Sequence, residues 1–226
     1  MNKINYQKQL DAVLAQQQTE EKVPTLLLHA CCAPCSSYVL EYLSDYFSIT
    51  VFFYNPNITE QAEYEKRAAE EKRMIREMKV RHPISVIDGR YEPERFLKMA
   101  EGYEDVPEGG IRCRRCFELR LEETARLAHD RQFDWFTTSL TISPLKNAEL
   151  LNQVGQQAAE KYGARFLPSD FKKRNGYKRS VELSARYHLY RQNYCGCVFS
   201  RREAEEREAR HAAGGTDSAE TAENSR

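Results

Sequence analysis

The sequence predicts an α/β protein: a single domain built on a parallel sheet with helices on both of its faces. Three observations lead there. Short apolar runs alternate with longer stretches of helical periodicity, and turn-forming residues separate them. The first run, residues 25–30, carries Leu26, Leu27 and Leu28 in succession, as a strand covered on both faces requires. At 226 residues the chain fits one domain with an appendage, and a core of that size forms without help from disulfides or metal.

Taken in order, Ile4, Leu10, Val13 and Leu14 lie near helical spacing within residues 2–17, which predicts a surface helix. Residues 18–22 are a polar linker. The strand at 25–30 leads into a helix containing Tyr38, Val39, Leu40, Tyr42 and Leu43, with Ser36 or Ser37 as its expected cap. A second strand is expected at 49–54 and is broken by Asn55-Pro56-Asn57. Thr59 is the cap candidate for a long charged helix from 60 to about 78. Its charges alternate in sign and read as a solvated face. A third strand at 84–88 lies between Pro83 and Gly89. Pro93 suits the first turn of a helix through Ala100. A glycine-containing loop, 102–110, leads to Cys113, Cys116 and another helix. A fourth strand at 133–138 runs into a hydroxyl-rich loop, 137–143. A helix at 146–162 is ended by Gly163. A short fifth strand at 164–167, a basic loop at 170–176 and a helix at 177–191 follow.

This gives three segments: an N-terminal helix and linker (1–22), an α/β domain carrying the site (23–200), and a charged, largely disordered tail (201–226) in which 213–226 are small and polar. Lys+Arg and Asp+Glu both number 34, so no global charge draws the chain to nucleic acid or membrane. Residues 1–22 lack the apolar centre of a secretion signal, and no apolar run approaches the roughly 20 residues of a membrane span. The expected compartment is the cytoplasm. Thiols stay reduced there, so close cysteine pairs favour metal or redox chemistry over structural disulfides.

All seven cysteines fall in three clusters: Cys31-Cys32-Ala33-Pro34-Cys35, Cys113-Arg114-Arg115-Cys116 and Cys195-Gly196-Cys197. A C-x-x-C lets two thiolates reach one metal, and a helix N-terminus after the first cluster favours thiolate over thiol. Gly196 lets the backbone wrap closely. Zinc and iron–sulfur groups both accept cysteine ligands. Seven thiols exceed one closed four-ligand site, so a second metal or a catalytic thiol is implied. In a parallel sheet the ligand site lies beyond the carboxyl ends of the strands, where the first cluster, the Asn55 loop, the 137–143 loop and Asp170 all fall. Asp170 and Glu108 are the candidate proton sources. His29 at the strand end more simply satisfies backbone partners. Lys172, Lys173, Arg174, Lys178 and Arg179, interleaved with Phe171 and Tyr177, have the pattern of a phosphate-backbone contact with rings for stacking. No G-x-G-x-x-G or P-loop follows the first strand.

With these residues in view the chain resembles the QueH family of epoxyqueuosine reductases, over roughly residues 6–201. The matching segments are Leu28-His29-Ala30-Cys31-Cys32-Ala33-Pro34-Cys35-Ser36, Tyr54-Asn55-Pro56-Asn57-Ile58, Glu108-Gly109-Gly110-Ile111-Arg112-Cys113-Arg114-Arg115-Cys116-Phe117, Thr138-Ser139-Leu140-Thr141-Ile142-Ser143-Pro144, Asp170-Phe171-Lys172-Lys173, and Tyr190-Arg191-Gln192-Asn193-Tyr194-Cys195-Gly196-Cys197. The resemblance implies an adenine-nucleotide-hydrolase or HUP-like fold. It implies reductive deoxygenation of epoxyqueuosine to queuosine at the tRNA wobble position, with a 4Fe–4S cluster and a second metal ion, iron or zinc, and electrons from an external donor. It further implies that all seven cysteines are metal ligands and leaves open which thiolate binds which metal; Cys31, Cys32, Cys113 and Cys116 are taken as the cofactor-binding four. Asp170 would be a further metal ligand or a proton source, with Glu108 or bound water as the other proton sources, and the basic run with Lys172, Lys173, Arg174 and Lys178 would grip the tRNA. Two other readings fit the cysteines: a zinc-stapled tRNA-binding module without redox activity, and a thiol oxidoreductase acting on proteins.

Overall fold

A computed structural model describes residues 4–18 and 22–214. Its sheet has four parallel strands in the order β3-β2-β1-β4, where β1 is Thr25–His29, β2 Ser48–Phe53, β3 Ser85–Asp88 and β4 Trp135–Thr138. The helices are α1 (Tyr6–Gln17), α2 (Ala33–Leu43), α3 (Gln61–Glu77), α4 (Pro93–Ala100), α5 (Ile111–Asp130), α6 (Ala148–Tyr162), α7 (Gly176–Arg186) and α8 (Val198–Gly214), with a 3₁₀ turn at Ser139–Ile142.

The three leucines of β1 explain how the layers form. Successive side chains on a strand point to opposite faces. Leu26 and Leu28 therefore join Ile49 and Val51 beneath Val39, Leu40 and Leu43 of α2, with Leu10 and Leu14 of α1 in the same core. Leu27 faces the other way, into a second core with Phe52, Phe136, Leu121 and Ala125 of α5, and Leu151 and Val154 of α6. β1, an inner strand of the sheet, thus contributes to both cores. Gly155 lets α6 approach the sheet: a Cβ there would lie 2.4 Å from the Phe166 ring.

Several boundaries differ from expectation for physical reasons. The fifth strand shrinks to a single bridge between Phe136 and Phe166. Leu167 N–H donates to Phe136 O at 2.8 Å, but Pro168 has no donor and Ser169 N–H is taken by Asn152 Oδ1 at 2.9 Å, so the ladder stops. Neither Ser36 nor Ser37 caps α2. The helix begins earlier, with Cys32 at the cap and Pro34 in the first turn, and both serines bond back to helical carbonyls. Glu60, not Thr59, holds the cap position of α3. The helix expected over 177–191 ends at Arg186. The charged stretch expected to open the tail at Arg201 is helical through Gly214, within α8, while 215–226 lie outside the described residues. Among the described residues no helix is long and apolar enough to cross a membrane.

Candidate metal centre

The first cysteine cluster is placed by the end of β1. Asn55 Nδ2 donates to Ala30 O at 2.8 Å, tying the loop after β2 to the residue before Cys31. Cys31 and Cys32 then sit at the entry to α2 with their sulfurs 3.8 Å apart, and the sulfurs of Cys31, Cys32 and Cys35 all lie within 4.8 Å of one another. His29, one residue earlier and wholly buried, shares Nδ1 with Thr138 Oγ1 at 3.0 Å and Nε2 with Tyr54 O at 3.1 Å. Both ring nitrogens are engaged, as expected of a residue that satisfies backbone partners.

The second and third clusters meet each other. Cys113 and Cys116 lie inside the first turns of α5, not ahead of it, and Cys113 Sγ accepts the Gly109 N–H at 3.2 Å. Gly109 adopts φ +91°, which favours glycine. Cys197 Sγ accepts the Ser200 N–H at 3.3 Å at the start of α8. Gly196 has φ +120°, and its backbone passes close to Ile58 and Arg67. Cys195 O is held by Arg67 Nη1 at 3.2 Å and Asn57 Nδ2 at 3.4 Å. Arg112, one residue before Cys113, donates to Tyr103 O and Glu104 O and pairs with Glu203 of α8 at 3.1 Å; Glu203 also accepts the Glu108 N–H. The stretch assigned to the tail thus braces the glycine loop.

Two adjoining cavities result. One, of about 100 Å³, is lined by Cys113, Cys116, Cys195 and Cys197; the other, of about 210 Å³, by Cys31, Cys32, Cys35 and again Cys195. Glu108, Leu145 and Lys146 line both.

Electrostatics separate the thiols. Hydrogen bonds from Cys31 and Cys35 hold Cys32 well below the usual thiol range, while the contacts of Cys35 with Cys31 and Cys32 push Cys35 well above it. Burial raises Cys113 and Cys197 and pushes Cys116 up to about 12. Burial and then Arg120 depress His29 to about 3, so its imidazole is neutral. Burial opposes the charge on Lys146, yet the thiolates of Cys195, Cys31 and Cys35 lift it above an ordinary lysine.

The donor set fits a thiophilic metal group. Soft thiolates select such groups, and a bound cation is what deprotonates buried thiols of raised pKa. The surroundings agree: Arg120 is fully buried, its Nη2 has no hydrogen-bond partner, and it forms no ion pair with a carboxylate among the described residues. A guanidinium in that position requires negative charge nearby, which metal-bound thiolates supply.

The other residues singled out from sequence divide. Glu108 lines both cavities. Asp170 lines neither; its carboxylate lies 3.2 Å from Lys172 Nζ. Lys172 also donates to Thr141 O at 2.9 Å, and Arg174 is paired with Asp11 at 2.5 Å. Lys173 and Lys178 are exposed. Sequence reasoning missed Arg67, Arg120 and Lys146. Arg120 follows Cys116 by four residues on one helix, so the two share a face, and that spacing was the available signal. Arg67 sits in the helix read as a solvated face, yet it is 2% exposed and Glu71, on the same side, is wholly buried.

A family model described as epoxyqueuosine reductase QueH matches residues 26–203. Among curated relatives, a Staphylococcus epidermidis protein is 45% identical over 202 residues, covering 88% of this chain and 85% of its own length. A Streptococcus pyogenes serotype M1 protein is 44% identical over 200 residues, with coverages of 88% and 78%. A Thermotoga maritima protein is 38% identical over 188 residues, with coverages of 82% and 94%. All three carry the name epoxyqueuosine reductase QueH.

Proposed function

The chain belongs to the epoxyqueuosine reductase QueH family, and on that premise we propose that it converts epoxyqueuosine to queuosine at the wobble position of tRNA in the cytoplasm. The observation that carries this reading is the convergence of seven thiols on two adjoining cavities at the carboxyl edge of the sheet. In this reading Cys31, Cys32, Cys113 and Cys116 hold a 4Fe–4S cluster, and Cys35, Cys195 and Cys197 complete the ligand set for a second metal, iron or zinc. Cys31, Cys32, Cys35 and Cys113 pack against one apolar cluster around Phe117 and Leu121, while Cys116 packs with Cys197 and Phe96 in a neighbouring one. When bound, the metal groups supply single electrons and Lewis acidity.

The chain's own residues do the rest. Removing the epoxide oxygen as water consumes two electrons, from an external one-electron donor, and two protons. Glu108, on both cavities, is the side chain placed to pass a proton to the reacting centre. Asp170 acts through Lys172, fixing the loop that closes the larger cavity. The modified nucleoside enters that larger cavity, whose lining includes exposed Leu145 and Tyr177. Lys173 and Lys178 contact anticodon-loop phosphates. Lys172 and Arg174 keep their internal pairs and shape the same loop.

The test is anaerobic incubation of iron- and sulfide-reconstituted protein with reductant and epoxyqueuosine-containing tRNA, followed by nucleoside analysis. Queuosine is the expected product. No queuosine from protein carrying iron and labile sulfide would overturn the reading, and colourless protein holding only zinc would replace it with the tRNA-binding module.

A further inference from the structure

Arg120 stands between the two thiol groups. Its Nε donates to Cys116 O at 3.3 Å, and its Nη1 reaches Asn55 Oδ1 at 3.5 Å. Asn55 in turn donates to Ala30 O, the residue before Cys31. One side chain thus connects the second cysteine cluster to the first through a single intermediate, while its remaining nitrogen, Nη2, is buried and unpartnered. A guanidinium cannot discharge itself by losing a proton. Among the described residues no carboxylate pairs with it, so its countercharge comes from the thiolates of a loaded centre: Cys116, Cys195, Cys31 and Cys113 are the acidic groups that act on it. These come from all three clusters.

We propose that Arg120 is a positioning residue of the metal centre: it ties the first two cysteine clusters together and, as a fixed buried cation, raises the electron affinity of the group the thiols hold. The inference rests on the iron–sulfur reading above. Reduction adds negative charge to a thiolate-ligated group, and a permanent positive charge in a low-dielectric site favours the reduced form. Lys146 lines the same cavities but sits on a loop between exposed Leu145 and Asn147 and is itself only partly buried. Arg120 is shielded from water entirely, so its field on the thiols is the less screened of the two.

The experiment compares wild type, Arg120→Gln and Arg120→Lys, each reconstituted anaerobically. Iron and sulfide are counted per chain, and the redox couple is followed by electron paramagnetic resonance during dithionite titration. Wild type without iron or sulfide sinks the iron–sulfur reading itself, independently of Arg120. With the group loaded, Arg120→Gln is expected to bind its electron at least tenfold more weakly, a shift of about 59 mV to more negative potential for one electron. Arg120→Lys, which keeps the charge, should stay within threefold of wild type. A loaded Arg120→Gln with the wild-type potential overturns the proposal, and so does an Arg120→Lys shifted as far as Arg120→Gln. Where Arg120→Gln does not fold, Arg120→Met replaces it: it keeps the aliphatic stem without the charge and should move the potential the same way. An unmoved potential in loaded Arg120→Met overturns the proposal equally.

Discussion

Glu71 offers the most quantitative test of how this chain distributes charge. It lies on α3, wholly buried, with Oε1 2.5 Å from Ser36 Oγ and Oε2 without a partner. The Ser36 hydroxyl has backbone acceptors of its own at Cys32 O, 3.2 Å, and Ala33 O, 3.3 Å, so the short contact is best satisfied with the proton on Glu71. Burial raises this carboxyl from 4.5 to about 8. The sign follows directly. Below the unfolded value both states are protonated and nothing is lost. Above it the unfolded chain releases a proton that the folded chain keeps, so stability falls as pH rises and the loss is complete above the folded value. At about 1.4 kcal/mol per unit, the fall from about pH 5 to about pH 8 is about 3.5 kcal/mol. Glu71→Gln keeps the shape and removes the titration, so its stability should lack this slope. Urea unfolding of both proteins under anaerobic, reducing conditions across that range measures the difference. Parallel pH profiles for wild type and Glu71→Gln would refute the neutral buried carboxyl.

Other outcomes follow from single contacts. Gly196→Ala forces a side chain into φ +120° with its Cβ 2.8 Å from Ile58, and should cost roughly 1–3 kcal/mol in denaturant unfolding. Gly155→Ala places a methyl 2.4 Å from the Phe166 ring and should cost about as much by overpacking, read by thermal melting. Glu203→Ala leaves buried Arg112 without its carboxylate and frees the Glu108 N–H; a loss of about 2 kcal/mol is expected, with faster amide exchange in the 104–110 loop. Lys173→Glu with Lys178→Glu should weaken tRNA binding uniformly across sequences and flatten the dependence of log affinity on log salt by roughly 0.7–0.9 per phosphate contact removed, with thermal stability unchanged.

The sequence by itself determined the layered α/β design and the thiol chemistry. Three consecutive leucines read as a strand covered on both faces because side chains alternate along a strand, and the two cores bear this out residue by residue. Cysteine clusters are legible because ligation demands one residue type at short spacing, which needs no knowledge of the fold. Tertiary structure alone decided which charges face inward. Arg67, Glu71 and Arg120 look like their solvated neighbours in sequence, since the polarity of a side chain says nothing about the surface its helix is pressed against. Packing also decided that the fifth strand ends at one bridge, because Asn152 on α6 takes the Ser169 N–H next in line. It put Glu108 on both cavities and Asp170 on neither, although both follow strands or glycine loops at the same edge. Loop residues at one edge of the sheet diverge when each side chain takes its own partner, and Asp170 pairs with Lys172.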